Sequence, residues 1–186
     1  MNGDSPSAFR AWSAAQPVSA GTHGVEALVE GVVAASPKRA WLFPGRRERG
    51  AAILRGADPS ALAEARPYKV VPPGESPAIR ALEAVGVALA GEPSVCFLGT
   101  GSLSYGVFHE AIQLAAAHRA PVVFVVSGYS GEGPFAPQLG VPAVVLAAAL
   151  GLATATCDGG DMASVQAAVA GVGAGPALVW AEMLHG

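Results

Sequence analysis

Val95-Cys96-Phe97-Leu98-Gly99-Thr100-Gly101-Ser102 and, one helix-length later, Val122-Val123-Phe124-Val125-Val126-Ser127-Gly128-Tyr129 decide the fold. Each opens with a continuous apolar run and has glycine soon after it, Gly99 in the first and Gly128 in the second. A run without polar alternation is the signature of a strand buried on both faces, as in parallel sheets. Between them, Ser104–Arg119 carries small and apolar residues at helical spacing. Strand, helix, strand in that order implies a right-handed crossover and two parallel strands.

The same alternation extends in both directions. Downstream, residues 141–151 read as a helix, Ala153–Cys157 as a strand, Ala163–Val172 as a helix and Ala177–Ala181 as a last strand. Upstream, Val25, Leu28, Val29, Val32 and Val33 give His23–Ala35 a helical period, which Ser36-Pro37 ends. Trp41–Phe43 is a short apolar run before Pro44-Gly45, and Ala51–Leu54 a short helix. Asp58-Pro59 has the N-cap and first-turn proline of a further helix. Arg66–Pro77 reads as loop and Ala78–Ala90 as helix. The expectation is an α/β fold in which helices flank both faces of a parallel sheet. It forms a single domain over 23–186, and residues 1–22, rich in Ser, Ala, Gly and Pro, form a partly ordered arm.

Composition bounds the function. The 186 residues are 52% hydrophobic and only 13% charged, with 11 basic against 14 acidic residues for a net charge of −3. No basic stripe exists, which argues against nucleic acid as a partner. Charge this sparse implies a surface partly hidden in an oligomer. Cys96 and Cys157 lie in apolar runs and are expected buried and reduced. The first residues lack a basic start followed by an apolar core, and apolar stretches are broken before membrane-spanning length. A cytoplasmic protein with no membrane partner is expected.

In open parallel sheets ligands sit beyond the carboxyl ends of the strands. Two loops therefore matter, Gly99–Tyr105 and Ser127–Gly133. The first has Gly-x-Gly-x-x-x-x-Gly spacing up to Gly106, which does not match a dinucleotide fingerprint. Glycines at a strand–helix junction admit close approach of a phosphate, and also serve as plain tight turns. In the second loop Gly128-Tyr129-Ser130-Gly131-Glu132 fails the nucleophile elbow at its last position. His109, His118 and His185 stand in no recognisable order with an acid. His109 and His118 read as surface or cap residues of one helix, Asp161 as a helix N-cap and Asp158 as a turn former.

Read in full, GTGSLSYGVFHEAIQLAAAHRAPVVFVVSGYSG resembles the alpha subunits of thiamine-diphosphate-dependent 2-oxo acid dehydrogenases, the E1 component. That family has Gly-Asp-Gly after a buried strand, a helix with Phe/His-Glu-Ala, and a strand ending in Glu-Asn-Asn. Gly106, Glu110-Ala111, Ala115-Ala116, Pro121 and the VVFVV strand fall in register without a gap. Gly24-Val25-Glu26-Ala27, Phe43–Gly50, Cys157–Asp161 and Gly175–Val179 resemble further family segments, so the likeness covers nearly the whole chain after residue 22.

The resemblance implies the thiamine-diphosphate-binding fold, in a shortened form. It implies an alpha-type subunit that decarboxylates a 2-oxo acid or transfers its acyl group, active only in a hetero-oligomer with a beta-type subunit that holds the cofactor's pyrimidine ring. It matches Arg47 to the arginine that contacts the diphosphate, with Arg46 in place of a tyrosine. Gly99, Thr100, Gly101, Ser102, Tyr129 and Gly131 complete the implied cofactor-binding set. Where the family binds magnesium through an aspartate and an asparagine, this chain has Thr100 at the first position and Gly128 and Tyr129 at the asparagines. Thr100 is the one residue left there as a metal ligand, and Arg46 and Arg47 offer cations in partial compensation. The family's loop with an active-site histidine is missing, and only Arg66–Pro77 fills its place. These departures support an alternative, a pseudoenzyme that keeps the fold for its interface as a cofactor-free structural or regulatory subunit.

Overall fold

A computed structural model describes residues 5–17, 23–74, 76–129 and 139–183. Five strands form one sheet: β1 (Trp41–Phe43), β2 (Ser94–Gly99), β3 (Val122–Tyr129), β4 (Ala153–Asp158) and β5 (Ala177–Met183). All pairings are parallel and the order is β1-β2-β3-β5-β4. Among the described residues seven α-helices accompany them: α1 (Ser5–Ala14), α2 (Glu26–Ala35), α3 (Ala51–Leu54), α4 (Ile79–Leu89), α5 (Gly106–His118), α6 (Ala143–Ala149) and α7 (Met162–Gly171). The doubly covered parallel sheet expected from the apolar runs is the architecture observed.

Alternate strand residues enter two separate cores. Val95, Phe97, Val125, Val179 and Ala181 pack with Phe9, Leu28, Val29, Val32 and Val165, under α1, α2, α3 and α7. Cys96, Leu98, Phe124, Val126 and Leu178 pack with Val85, Phe108, Ile112 and Ala147, under α4, α5 and α6. Two-faced burial is why the apolar runs of β2 and β3, Val95–Leu98 and Val122–Val126, consist of Val, Phe, Leu and Cys alone. β4, at the edge, departs from this rule: Ala153, Thr154, Thr156 and Asp158 are exposed, and its composition is correspondingly polar.

Small residues set the helix contacts. A Cβ at Gly31 of α2 would fall 2.7 Å from both Met162 O and Val165 Cβ, so glycine is what lets α2 and α7 touch. The β1 edge is covered by the following chain, with Leu42 N donating to Lys69 O at 2.8 Å and Val71 N to Leu42 O at 2.9 Å. Both cysteines are buried and unpaired. No described helix is long and apolar enough to cross a membrane.

Two local expectations need correction. Within the segment expected as a partly ordered arm, Ser5–Ala14 is the helix α1. Its Phe9 is buried, and Arg10 clamps Glu30 of α2 with two 2.7 Å hydrogen bonds. No helix starts at Pro59. Asp58 instead accepts from the backbone and hydroxyl of Ser60 at 2.8 and 2.7 Å, a closed turn that spends the cap on itself. Two single 3₁₀ turns follow, Leu62–Glu64 and Arg66–Tyr68. Asp161 caps α7, accepting from Ala163 N and Ser164 N, and Asp158 closes its turn on Gly160 N at 2.8 Å.

Candidate functional site

Because every strand runs the same way, the carboxyl ends of β1 to β5, with the described segments after β1, β2 and β4, gather on one side of the sheet. Pro44–Gly50 follows β1, the 3₁₀ turn Thr100–Ser102 follows β2, and Tyr129 ends β3. This places the expected residues Arg46, Arg47, Gly99, Thr100, Gly101, Ser102 and Tyr129 along one rim. Gly131, with Ser130 and Glu132, lies outside the described residues.

One contact across that rim joins two of the expected residues directly. Arg47 Nη1 donates to Tyr129 Oη at 2.7 Å, and the guanidinium carbon stands 5.5 Å from the phenol ring centroid. The residues are 82 positions apart, Arg47 in the turn after β1 and Tyr129 at the end of β3, and β2 lies between those two strands in the sheet. Arg46 is exposed, and its carbonyl accepts from Arg49 Nη1 at 2.7 Å. Thr100 is half-buried and Ser102 is buried.

The turn that presents Arg47 is fixed from inside. Glu48 is buried, and its Oε2 accepts from Gly45 N at 3.0 Å. Burial pushes its carboxyl above the ordinary range, opposed by the charge of Arg80. Arg80, from α4, bonds Pro77 O at 2.7 Å through Nε, while its Nη1 is buried without a hydrogen-bond partner. A Cβ at Gly45 would lie 2.5 Å from both Arg80 Nη1 and Glu48 Oε2, so both groups close over that glycine. Neither Glu48 nor Arg80 was expected from sequence. The signal was a glutamate between two arginines in a segment otherwise about to turn into a buried helix.

Glycines at the rim divide into two kinds. Gly128 is required by packing: a Cβ there would sit 2.0 Å from the Trp180 ring, which lies over it. Trp180 Nε1 donates to Glu182 Oε2 at 2.8 Å. Gly99 and Gly101 are required by nothing within the described chain. Neither has positive φ, and a Cβ on either would meet no atom within 4 Å. Backbone left bare in this way is suited to close approach by a molecule outside the chain.

The donor set does not fit magnesium. Mg²⁺ takes hard oxygen ligands in octahedral geometry, usually including a carboxylate. Among the described residues no group of three His, Cys, Asp or Glu converges. Thr100 offers a neutral hydroxyl, Gly128 offers no side chain, and Tyr129 Oη already faces a guanidinium. A diphosphate fits better: the rim has two arginines and open glycine backbone, and guanidinium groups match phosphate oxygens in pairs.

The other expected features fall outside the rim's chemistry. Phe108 meets the His109 ring edge-on at 5.6 Å, and His118 is exposed at the end of α5. Ser127 is buried with its hydroxyl on Leu98 O at 3.2 Å, committed to the sheet. A cavity of about 920 Å³ opens elsewhere, between α1, α2 and α3, and no expected site residue lines it.

Comparison with known proteins gives a consistent kinship. No family model matches the chain. The alpha subunit of a 3-methyl-2-oxobutanoate dehydrogenase from Mycobacterium tuberculosis is 31% identical over 182 residues, covering 84% of this chain and 50% of that protein. The alpha subunit of an acetoin:2,6-dichlorophenolindophenol oxidoreductase from Bacillus subtilis is 39% identical over 95 residues, 46% of this chain and 28% of that one. The chain thus spans about half the length of the first relative and less of the second. A solved structure of an enzyme from Mycobacterium smegmatis, assigned as thiamin diphosphate-dependent, superposes with a TM-score of 0.61 at 23% identity, over 88% of this chain and 32% of that one. That likeness is one of fold. The resemblance drawn from the motifs is borne out by both comparisons: relatives of the chain are alpha subunits, and its fold is the thiamine-diphosphate-binding one.

Proposed function

We propose, from this kinship with alpha subunits of 2-oxo acid dehydrogenases, that the chain is the diphosphate-holding subunit of a cytoplasmic thiamine-diphosphate-dependent enzyme acting on a 2-oxo acid. The observation that carries the proposal is Arg47, aimed across the carboxyl ends of the strands and held by Tyr129 at 2.7 Å. Arg47, with exposed Arg46, would face the diphosphate, and the bare backbone at Gly99 and Gly101 would let it approach. Thiamine diphosphate, when bound, supplies the carbanion chemistry that cleaves the bond beside the 2-oxo group. The chain's own task is to bind and orient.

A beta-type partner is part of the proposal. Ile79 and Leu89 of α4, Tyr105 beside α5, and Val141 and Val145 at α6 are all exposed. They belong to or adjoin the three helices of one layer, a surface suited to burial in a hetero-oligomer.

A second reading is favoured by the same rim. With the metal donors replaced and Gly128 covered by Trp180, the chain could serve as a cofactor-free structural subunit. Native mass spectrometry of the chain co-expressed with a beta-type subunit, sprayed with thiamine diphosphate, separates the two. A complex carrying the cofactor's mass supports the first reading. A complex without that mass supports the second, and the absence of any complex counts against both.

A further inference from the structure

β1 and β4 are the two edges of the sheet, and the first is covered by Lys69 and Val71. β4 pairs with β5 alone. Ala153 N donates to Pro176 O at 3.0 Å and, just past the strand end, Gly159 N donates to Glu182 O at 2.8 Å. Residues of odd number therefore turn their backbone groups towards β5, and Thr154, Thr156 and Asp158 turn theirs outward. Both groups of Asp158 are taken within the chain, its N–H by Ser164 Oγ at 3.2 Å and its C=O by Asp161 N at 3.3 Å. Those of Thr154 and Thr156 meet no partner among the described residues, and both residues are exposed.

Sheet edges open to solvent are normally guarded by lysine, proline or a bulge. Ala153–Asp158 reads Ala-Thr-Ala-Thr-Cys-Asp and pairs with β5 residue for residue, so it has none of these. The flanking helices are equally unguarded. α6 and α7 lie against β4 on opposite faces of the sheet, and neither has a charged residue. Ala148 and Ala149 of α6 and Ala163, Ala167 and Ala170 of α7 are nevertheless exposed. A helix without a charged face suits an interior better than a surface.

The free backbone groups define their own complement, because they stand symmetrically about Ala155. A second copy laid antiparallel, with a two-fold axis at Ala155, sets Thr154 opposite Thr156 of that copy and Thr156 opposite its Thr154. Each facing pair then exchanges both of its hydrogen bonds. Ala155 meets its own counterpart at the closer, non-hydrogen-bonded position, where a small side chain fits. The same register sets Asp158 opposite Leu152. The two Asp158 carboxylates then lie about 20 Å apart, beyond the range that salt leaves unscreened. A parallel partner in register would set Asp158 against Asp158.

We propose that two copies of this chain associate through β4, continuing one sheet across a two-fold axis at Ala155. The axis is perpendicular to the sheet, so α6 meets α6 and α7 meets α7 in a self-complementary contact. Hydrogen bonds fix the register. The uncharged helix surfaces supply the area, since a stable interface takes about 800 Å² from each copy. The pairing makes no use of the rim around Arg47 and leaves α4 and α5 to a beta-type subunit, so it stands whether or not the chain holds a diphosphate.

The test uses the full chain, alone and co-expressed with a beta-type subunit. Ala155→Cys should give a disulfide-linked homodimer under mild oxidation, because Cα atoms facing each other at that position lie within disulfide reach. Thr154→Cys should not, because its two copies stand farther apart than the roughly 7 Å a disulfide can span. Wild type, with Cys96 and Cys157 buried, gives the background. Amide exchange at Thr154 and Thr156 should slow about tenfold or more as the chain is concentrated. Thr156→Pro removes an outward N–H without breaking a bond to β5, and should weaken self-association about tenfold in analytical ultracentrifugation. A chain that stays monomeric at the highest concentration reached, with no Ala155→Cys dimer, would overturn the proposal. Equal cross-linking at positions 154 and 155 would overturn the register and the two-fold pairing with it. Cross-linking of position 155 to the beta-type subunit would assign the edge to that partner and overturn the proposal as well. Should Thr156→Pro fail to fold, the two cysteine variants decide.

Discussion

At the residue scale, Glu48 is the group whose chemistry is least expected from its neighbours. Two arginines flank it in sequence, Arg47 and Arg49, yet burial rather than charge dominates and raises its pKa. A carboxyl that holds its proton more tightly folded than unfolded stabilises the fold below its unfolded pKa. That contribution is lost as pH rises through the folded pKa. Wild type should therefore lose stability relative to Glu48→Gln as pH rises above the ordinary carboxylate range of about 4, read as the difference in Tm. A constant difference as pH rises would mean the carboxyl is not desolvated. The Gln variant can still accept from Gly45 N, so the comparison isolates charge from hydrogen bonding. None of this could be read from the sequence, because the spacing Arg-Arg-Glu-Arg looks like a solvated turn. The family motif singled out Arg47 as a candidate, but its contact with Tyr129 could not be read from the sequence. Nothing local links position 47 to position 129, and only the order β1-β2-β3 brings the two strand ends onto one rim.

At the scale of elements, the apolar runs were sufficient for strands and their parallel sense. Val95–Leu98 and Val122–Val126 lie buried or partly buried between two layers, and no other element type places four or five consecutive apolar residues so economically. The failures have physical causes. α1 has only Phe9 and Trp12 as large apolar residues, too little periodicity to stand out. Its stability comes from tertiary contacts, with the Phe9 ring seated against Gly50 and Arg10 on Glu30. Asp58-Pro59 carried the right cap chemistry, but Ser60 captured the carboxylate. The α2–α7 contact offers the cleanest test at this scale. Gly31→Ala would press a methyl against the Met162 carbonyl and the Val165 side chain, and overpacking of this kind costs about 1–3 kcal/mol. The expected outcome is a Tm several degrees lower, with hydrogen exchange rising first in α2 and α7. A neutral result would show that the two helices can separate without loss.

For the whole molecule, the sparse charge noted in the sequence becomes a matter of placement. Ile79, Leu89, Tyr105, Val141 and Val145 are exposed on the α4–α6 side. Val145→Asp should leave the unfolding free energy within about 0.5 kcal/mol of wild type, as surface changes do, and weaken assembly measured by analytical ultracentrifugation. Unaltered assembly would move the interface to another face. Gly101→Ala makes the complementary test. No strain or clash opposes it, so stability should hold or rise by about 0.4–1 kcal/mol through the unfolded state. Binding at the rim should nevertheless fall, measured by calorimetry with pyrophosphate. A variant that binds as wild type does would make Gly101 a simple turn residue.

The indole over Gly128 has a consequence for where this chain can go in sequence space. A side chain at 128 cannot be introduced one step at a time, because its first carbon would already overlap Trp180. Shrinking Trp180 beforehand would strip Glu182 of its indole donor and open part of the apolar layer beneath. Each single step towards a metal-binding pair is thus uphill, and only a concerted exchange avoids the barrier. The tryptophan works as a ratchet: while it stands over position 128, glycine is the residue that position accepts.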